Sequence, residues 1–596
     1  MKNQLAYIER MERMMSEDAR DMLRRIWEPT VVGVPLSDAR RDLCVLPSGE
    51  LRMYGYPHTE HAHKKEGPCV YLSSVDGGIS WTKHYAKGKM NSCTYIEAGE
   101  VYLAPYEGDG WIGVMRSSIG PDDPDPEIIQ ITDGSYKCSF LPSAVSNFHD
   151  SFQPIQSAYS NRVWFTSQCL ISAEGEDPVH TCAFFYSDDF GKTWQTREVE
   201  EPARDEVVYP HKGLRWCKGS GTEPYAVELS EGRMMMIIRT PLDSFYLSYS
   251  EDGGDTWSKA EPSTFYGTNT TAFLLRLSDG RIVSFWNNTK PLPQPNYKGV
   301  RPPVSEWVTS GKGENAFTNR DAAHAAISSD GGKTFVGYRE FLLNPIRDHR
   351  DFRYFGGVKQ TLDKSVHQFQ ALELPYGKIL VTAGQNPEAR RAVIFDANWL
   401  LENEASEDFV QNGLSKITTH TYAKSQSDHT AHVAGNGHCS WNRAPSAYLL
   451  PDPEGGLFEV LSISKHHDPR LYNDIGGAVW NFPTSKQGRV TVELKLSEKT
   501  ARITLSDRWY NTCDPYAAAD APFTFEVDTV DLGTEYVVLT VDYDTEVGRA
   551  AVSIGGEHRF ALRMQHPVPT GISYLLLQCA TDGDSEGYYV RRLEKE

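Results

Sequence analysis

The stretch YPHTEHAHKKEG brings His58, Glu60, His61 and His63 close together. These residue types exchange protons near neutral pH or bind metals. The H-x-x-H-x-H spacing matches no specific zinc signature, so no metal and no cofactor is expected. Glu60 and His61 are candidate catalytic acids, against the bland reading of a solvated polar loop. A second group lies in NFHDSF, where Asp150 reads either as a general acid or base or as a turn cap, with His149 beside it. In RWCKGSGTEP, Trp216 and Lys218 offer a stacking surface and a positive charge for a ligand. Packing between elements, with Lys218 reaching to solvent, accounts for both equally well.

The chain that must position these groups has 596 residues, more than one hydrophobic core commonly supports, so two domains are expected. Its formal net charge of -20 argues against nucleic acid held through non-specific phosphate contacts, which need clustered Lys and Arg. An acidic ligand must therefore meet a local basic pocket. The N-terminus, MKNQLAYIERMERMMSEDARDMLRRIW, is charged throughout and lacks the apolar core of a signal peptide or a membrane span. No membrane contact and a cytoplasmic address are the expectation. Ten scattered cysteines form no CxxC pair, which favours reduced, buried thiols over a zinc knuckle or a disulfide framework. Oligomerisation is left open.

Residues 1–29 place Ile8, Met11, Met15, Met22, Leu23 and Ile26 near helical spacing, with Ser16 as a candidate N-cap. From about 30 to 400 the pattern changes to short apolar runs bounded by Gly, Asp and Asn, such as GRMMMIIRT, TAFLLRL and GKILVTAG, which read as successive antiparallel strands. One motif recurs there: SVDGGISW at Ser74, SDDFGKTW at Ser187, SEDGGDTW at Ser250 and SSDGGKTF at Ser328. In each copy an Asp can accept from nearby amides, a Gly permits positive φ, and a closing aromatic plugs the sheet. Recurrence at irregular intervals suits radial sheets with variable insertions. Beyond a polar stretch, residues 415–596 alternate apolar and polar with turn signals, as an antiparallel, lectin-like β-sandwich would.

The four copies resemble the Asp boxes of the sialidase superfamily. That resemblance implies an all-β chain: a six-bladed β-propeller with a C-terminal β-sandwich and a short N-terminal helical segment. It places the active site around the propeller axis, away from the boxes. The segment GTEPYAVELSEGRMMMIIRT looks like the sialidase segment holding a catalytic Glu and a carboxylate-binding Arg, here Glu223 and Arg239. NRDAAHAAIS resembles the segment supplying a further arginine, Arg320, and DARRDLCVLPSGELRM offers Arg41 for a third. Converging guanidinium groups clamp a carboxylate through paired, charge-assisted hydrogen bonds. For any one of these arginines the bland alternative is a salt bridge between blades.

The sequence departs from the family where the family has its Tyr nucleophile. In SVHQFQALELPYGKIL that place falls on Gln368, next to His367, and neither side chain is a phenol. The resemblance therefore implies an exo-acting glycoside hydrolase on a terminal acidic sugar (sialic, ulosonic or uronic), with Glu223 and Asp150 or a His as an acid/base pair and water as nucleophile. Two alternatives remain open. One is a lyase or another glycosidase on uronic-acid oligosaccharides with His367 or His61 as base; the other is a propeller that binds an acidic oligosaccharide without turnover.

Overall fold

The computed structural model describes the chain outside positions 1, 37–42, 56–69, 86–95, 109–110, 121, 134–135, 138–144, 150–151, 173–178, 200–222, 241–243, 268–269, 291–319, 349–363, 385–387, 424–441, 472–473, 498–500, 580 and 582. Among the described residues, strands that follow one another in sequence gather into small antiparallel sheets. Six of these sheets, or blades, span 43–85, 96–130, 145–199, 225–266, 273–343 and 370–396. The sixth blade takes Thr30–Gly33 as its outermost strand, paired with Arg391–Asp396. Lending an N-terminal strand to the last blade ties the ring shut. The chain is an all-β six-bladed β-propeller followed by a β-sandwich, with a short helical segment at its start.

That helical segment is α1 (Lys2–Met14) and α2 (Glu17–Arg25). The Ser16 hydroxyl caps α2 by accepting from the Ala19 N–H at 3.2 Å. Met11, Met15 and Leu23 cluster with Leu51 of the first blade and Leu374 and Leu380 of the sixth.

The Asp-box motifs occupy the turn between third and fourth strands in blades one, three, four and five. In the second copy the Ser187 hydroxyl accepts from the Gly191 N–H and donates to Asp189, both at 2.8 Å. The Asp189 carboxylate accepts from the Lys192 N–H, the Thr193 N–H and the Thr193 hydroxyl at 3.0, 2.8 and 2.7 Å. The same set recurs around Asp330, where these donors outweigh burial and hold the carboxyl down at about 2. Gly191 at φ 82 and Gly254 at φ 97 take the left-handed backbone the turn requires.

Each blade is an antiparallel meander, so the turns after its first and third strands lie at one face of the propeller. The starts of those strands lie at the other. The Asp boxes mark the first face, and the helices pack there: the Tyr376 hydroxyl donates to Glu12 at 2.7 Å and the Gln4 amide to Glu373 at 2.8 Å. The opposite face is the candidate chemistry face.

The second domain stacks two sheets around a core that includes Trp480, Val492, Ile503, Leu575 and Leu593. Gln487–Leu496 shows the period-two pattern, with Val490, Val492, Leu494 and Leu496 buried between half-buried neighbours. A strand upstream of the expected start, Ala405–Glu407, already pairs with the C-terminal Ser585–Lys595. The other side of the second sheet packs on blade five, where Ala322 meets Val479, Tyr574 and Leu576.

Polar groups cross this junction as well. The Asn288 N–H donates to His324 Nδ1 at 3.0 Å, which leaves Nε2 to carry the proton toward the Tyr574 oxygen at 2.5 Å, and the Tyr574 hydroxyl donates to Glu340 at 2.5 Å. Burial pushes Glu340 up to about 8 and His324 down to about 3. A raised carboxyl contributes stability that is full below its unfolded value and lost as pH rises through about 8. Glu340→Gln removes that limb. Between pH 5 and pH 8 the wild type is therefore expected to lose stability relative to Glu340→Gln in denaturant titrations; a constant difference would contradict the burial of this carboxyl.

Candidate functional site

Glu223 and Arg239 meet because of strand register. Tyr225–Ser230 is the innermost strand of blade four and Arg233–Ile238 its neighbour, with Tyr225 paired to Ile237. Two residues further toward the chemistry face, the same register sets Glu223 opposite Arg239. Their side chains form an ion pair, at 5% and 6% exposure. The Glu223 N–H is fixed in turn by the Gln168 side-chain oxygen, at 3.2 Å, from blade three. Because the pair is buried, removal of Arg239 strands a buried carboxylate.

Arg320 leads into the third strand of blade five, Ala322–Ser328, and is fully buried. Its Nη1 lies 2.9 Å from His367 Nε2, on the lead into the innermost strand of blade six. A guanidinium only donates, so Nε2 is the acceptor, and Nδ1 carries the ring proton toward the Ser365 hydroxyl at 2.7 Å. Both ring nitrogens are thereby engaged. His367 holds Arg320 in this arrangement.

Gln368 follows at φ 69, a left-handed backbone uncommon for a residue with a side chain. It is 6% exposed, and its Oε1 is buried with no hydrogen-bond partner among the described residues. A strained backbone and an unmatched acceptor each cost about 1–3 kcal/mol, and such features cluster at functional sites. An amide is no nucleophile, but its Oε1 can accept a hydrogen bond. Two residues on, the Gln370 amide donates to Gln153 of blade three at 2.6 Å and to the Leu43 carbonyl of blade one at 3.0 Å. This cross-axis bridge floors the site, and a cavity of about 240 Å³ lies on its helical side.

The structure thus brings Glu223, Arg239, Arg320, His367 and Gln368 to one face, from blades four, five and six. Arg41, Glu60, His61, Asp150, Trp216 and Lys218 lie outside the described residues, and His149 is described only as the last residue of the strand Val145–His149. Gln168, Ser365 and Gln370 had no sequence signal: each is a polar residue in an otherwise ordinary strand or approach to one. Among the described residues no cluster of His, Cys, Asp and Glu could hold a metal ion, and no helix is long and apolar enough to cross a membrane.

A BNR repeat-like domain model matches residues 152–381, a span that holds three of the four Asp boxes. Among similar solved structures is a Trypanosoma rangeli sialidase in complex with 2,3-difluorosialic acid, at 12% identity over 94% of this chain and 92% of that one, with a TM-score of 0.35. Another is a protein of unknown function from Dyadobacter fermentans, at 14% identity over 62% and 97%, with a TM-score of 0.35. The NanB sialidase of Streptococcus pneumoniae is 13% identical over 65% and 73%, with a TM-score of 0.34. No curated protein matches significantly. Identities this low carry no inference about chemistry.

Proposed function

We propose that this face of the propeller is a glycoside hydrolase site that acts on a terminal acidic sugar. The observation that supports it most is that two buried guanidinium groups, Arg239 and Arg320, and one carboxylate, Glu223, stand at the same face of adjacent blades, Arg239 paired with Glu223 and Arg320 with His367. Guanidinium forks hold a carboxylate in a fixed orientation, which sets the rest of the sugar against the groups that react. Glu223, a carboxylate in its ion pair, acts as the general base that takes a proton from the attacking water. Gln368 Oε1 accepts from a sugar hydroxyl. The acid that protonates the leaving oxygen falls to Asp150, Glu60 or His61, and Trp216 and Lys218 add a stacking plane and a charge to the substrate side. With no phenol at position 368, water replaces the side-chain nucleophile.

Aryl glycosides of sialic, ulosonic and uronic acids test this reading. The expected result is release of the aryl alcohol together with a saturated acidic sugar, and no release from the matching neutral glycosides. An unsaturated product absorbing in the near ultraviolet would mark a lyase instead. Tight binding without turnover over long incubation would mark a binding propeller.

A further inference from the structure

The residue after Arg320 belongs to a different set of contacts. Asp321 is 1% exposed, and its carboxylate accepts from the Arg443 guanidinium, from the Tyr422 hydroxyl and from the Asn344 amide at 2.9 Å, with His420 Nε2 at 3.3 Å. Arg443, Tyr422 and His420 come from one hairpin of the second domain, His420–Ala423 paired with Asn442–Pro445, which forms a two-stranded sheet of its own. Tyr422 sits directly opposite Arg443 in that pairing, and His420 lies two residues away on the same face. All three therefore point at Asp321 together.

Burial alone would push the Asp321 carboxyl up, yet Arg443, His420 and Tyr422 outweigh it and hold the group well below the usual carboxylate range. It is a fixed anion in a fixed cage. The backbone on either side is tied down too: the Arg320 carbonyl accepts from the Val366 N–H at 2.9 Å and the Asp321 carbonyl from the Asn344 N–H at 2.8 Å. Side chains of successive residues in extended chain point to opposite sides. Anchoring Asp321 into the domain junction therefore aims Arg320 the other way, at His367.

We infer that Arg443 and Tyr422 of the β-sandwich are positioning residues for Arg320, so that the second domain completes the sugar site of the propeller. This role rests on Arg320 being a substrate-binding group, as proposed above. It gives the sandwich a part in the chemistry that needs no sugar contact of its own.

The test uses the full chain with Arg443→Gln, Arg443→Lys and Tyr422→Phe, each checked for cooperative unfolding. In a crystal structure of Arg443→Gln the Arg320 to His367 contact is expected to lengthen by more than about 1 Å. Affinity for an acidic sugar is expected to fall at least tenfold, seen as a raised KM with kcat changed less. Arg443→Lys, which keeps the charge but not the fork, should lie between. If Arg443→Gln does not fold, Tyr422→Phe is read in the same way with smaller shifts. An unchanged Arg320 to His367 contact in a folded variant overturns the inference. Failure of the wild type to bind any acidic sugar would instead remove the proposed function, while the crystallographic contact still decides whether the sandwich positions Arg320.

Discussion

Glu223→Gln is expected to lower turnover of an acidic glycoside by roughly 10²- to 10⁴-fold, the usual contribution of a positioned acid or base. Binding of the same ligand should be at least as tight as in the wild type. The amide keeps the shape of the side chain and an oxygen to accept from Arg239, so the strand register and the pair geometry survive. It takes no proton from water. Removing the negative charge also leaves the Arg239 guanidinium to a ligand carboxylate alone, and a charge pair in a partly desolvated site is far stronger than in bulk water. Single-turnover rates and calorimetric titration separate the two effects. Loss of binding together with loss of turnover would make Glu223 a structural acceptor rather than a base.

Arg239→Met should show the opposite balance. The two side chains are almost wholly buried, and removing one partner of a buried pair leaves the other charge uncompensated, at about 3–5 kcal/mol. A large drop in unfolding free energy is expected alongside loss of acidic-sugar binding. The double variant Glu223→Gln with Arg239→Met should recover most of that stability but none of the binding. A double-mutant cycle measures this directly, and additive losses would show that the pair is not coupled.

The parts of this molecule that were legible in the sequence are those with local causes. The Asp boxes were readable because one turn is rebuilt from the same Ser, Asp, Gly and aromatic each time, and its hydrogen bonds close within a few residues, as those of Asp189 and Asp330 do. Ser16 was readable as a cap for the same reason. The segment holding Glu223 and Arg239 was recognisable, although that the two would be buried against each other follows from hairpin register and not from their types. What escaped depends on blades meeting in space. Arg320 reaches His367 across a blade boundary, and nothing near His367 announces that its ring will be engaged on both nitrogens. Asp321 carries no sequence signal of its own, because its cage is built by a hairpin of the other domain. Gln368 was singled out as a missing phenol; its left-handed backbone and unmatched Oε1 are visible only in the fold.

The proposed function requires that the site recognise a carboxylate. Calorimetric titration of the wild type with an acidic monosaccharide and with its methyl ester tests it most directly, since the two differ only in the charge that Arg239 and Arg320 would hold. The acid is expected to bind at least about 100-fold more tightly, close to 3 kcal/mol, with the difference shrinking at high salt. Equal affinity for acid and ester would show that Arg239 and Arg320 do not hold a carboxylate.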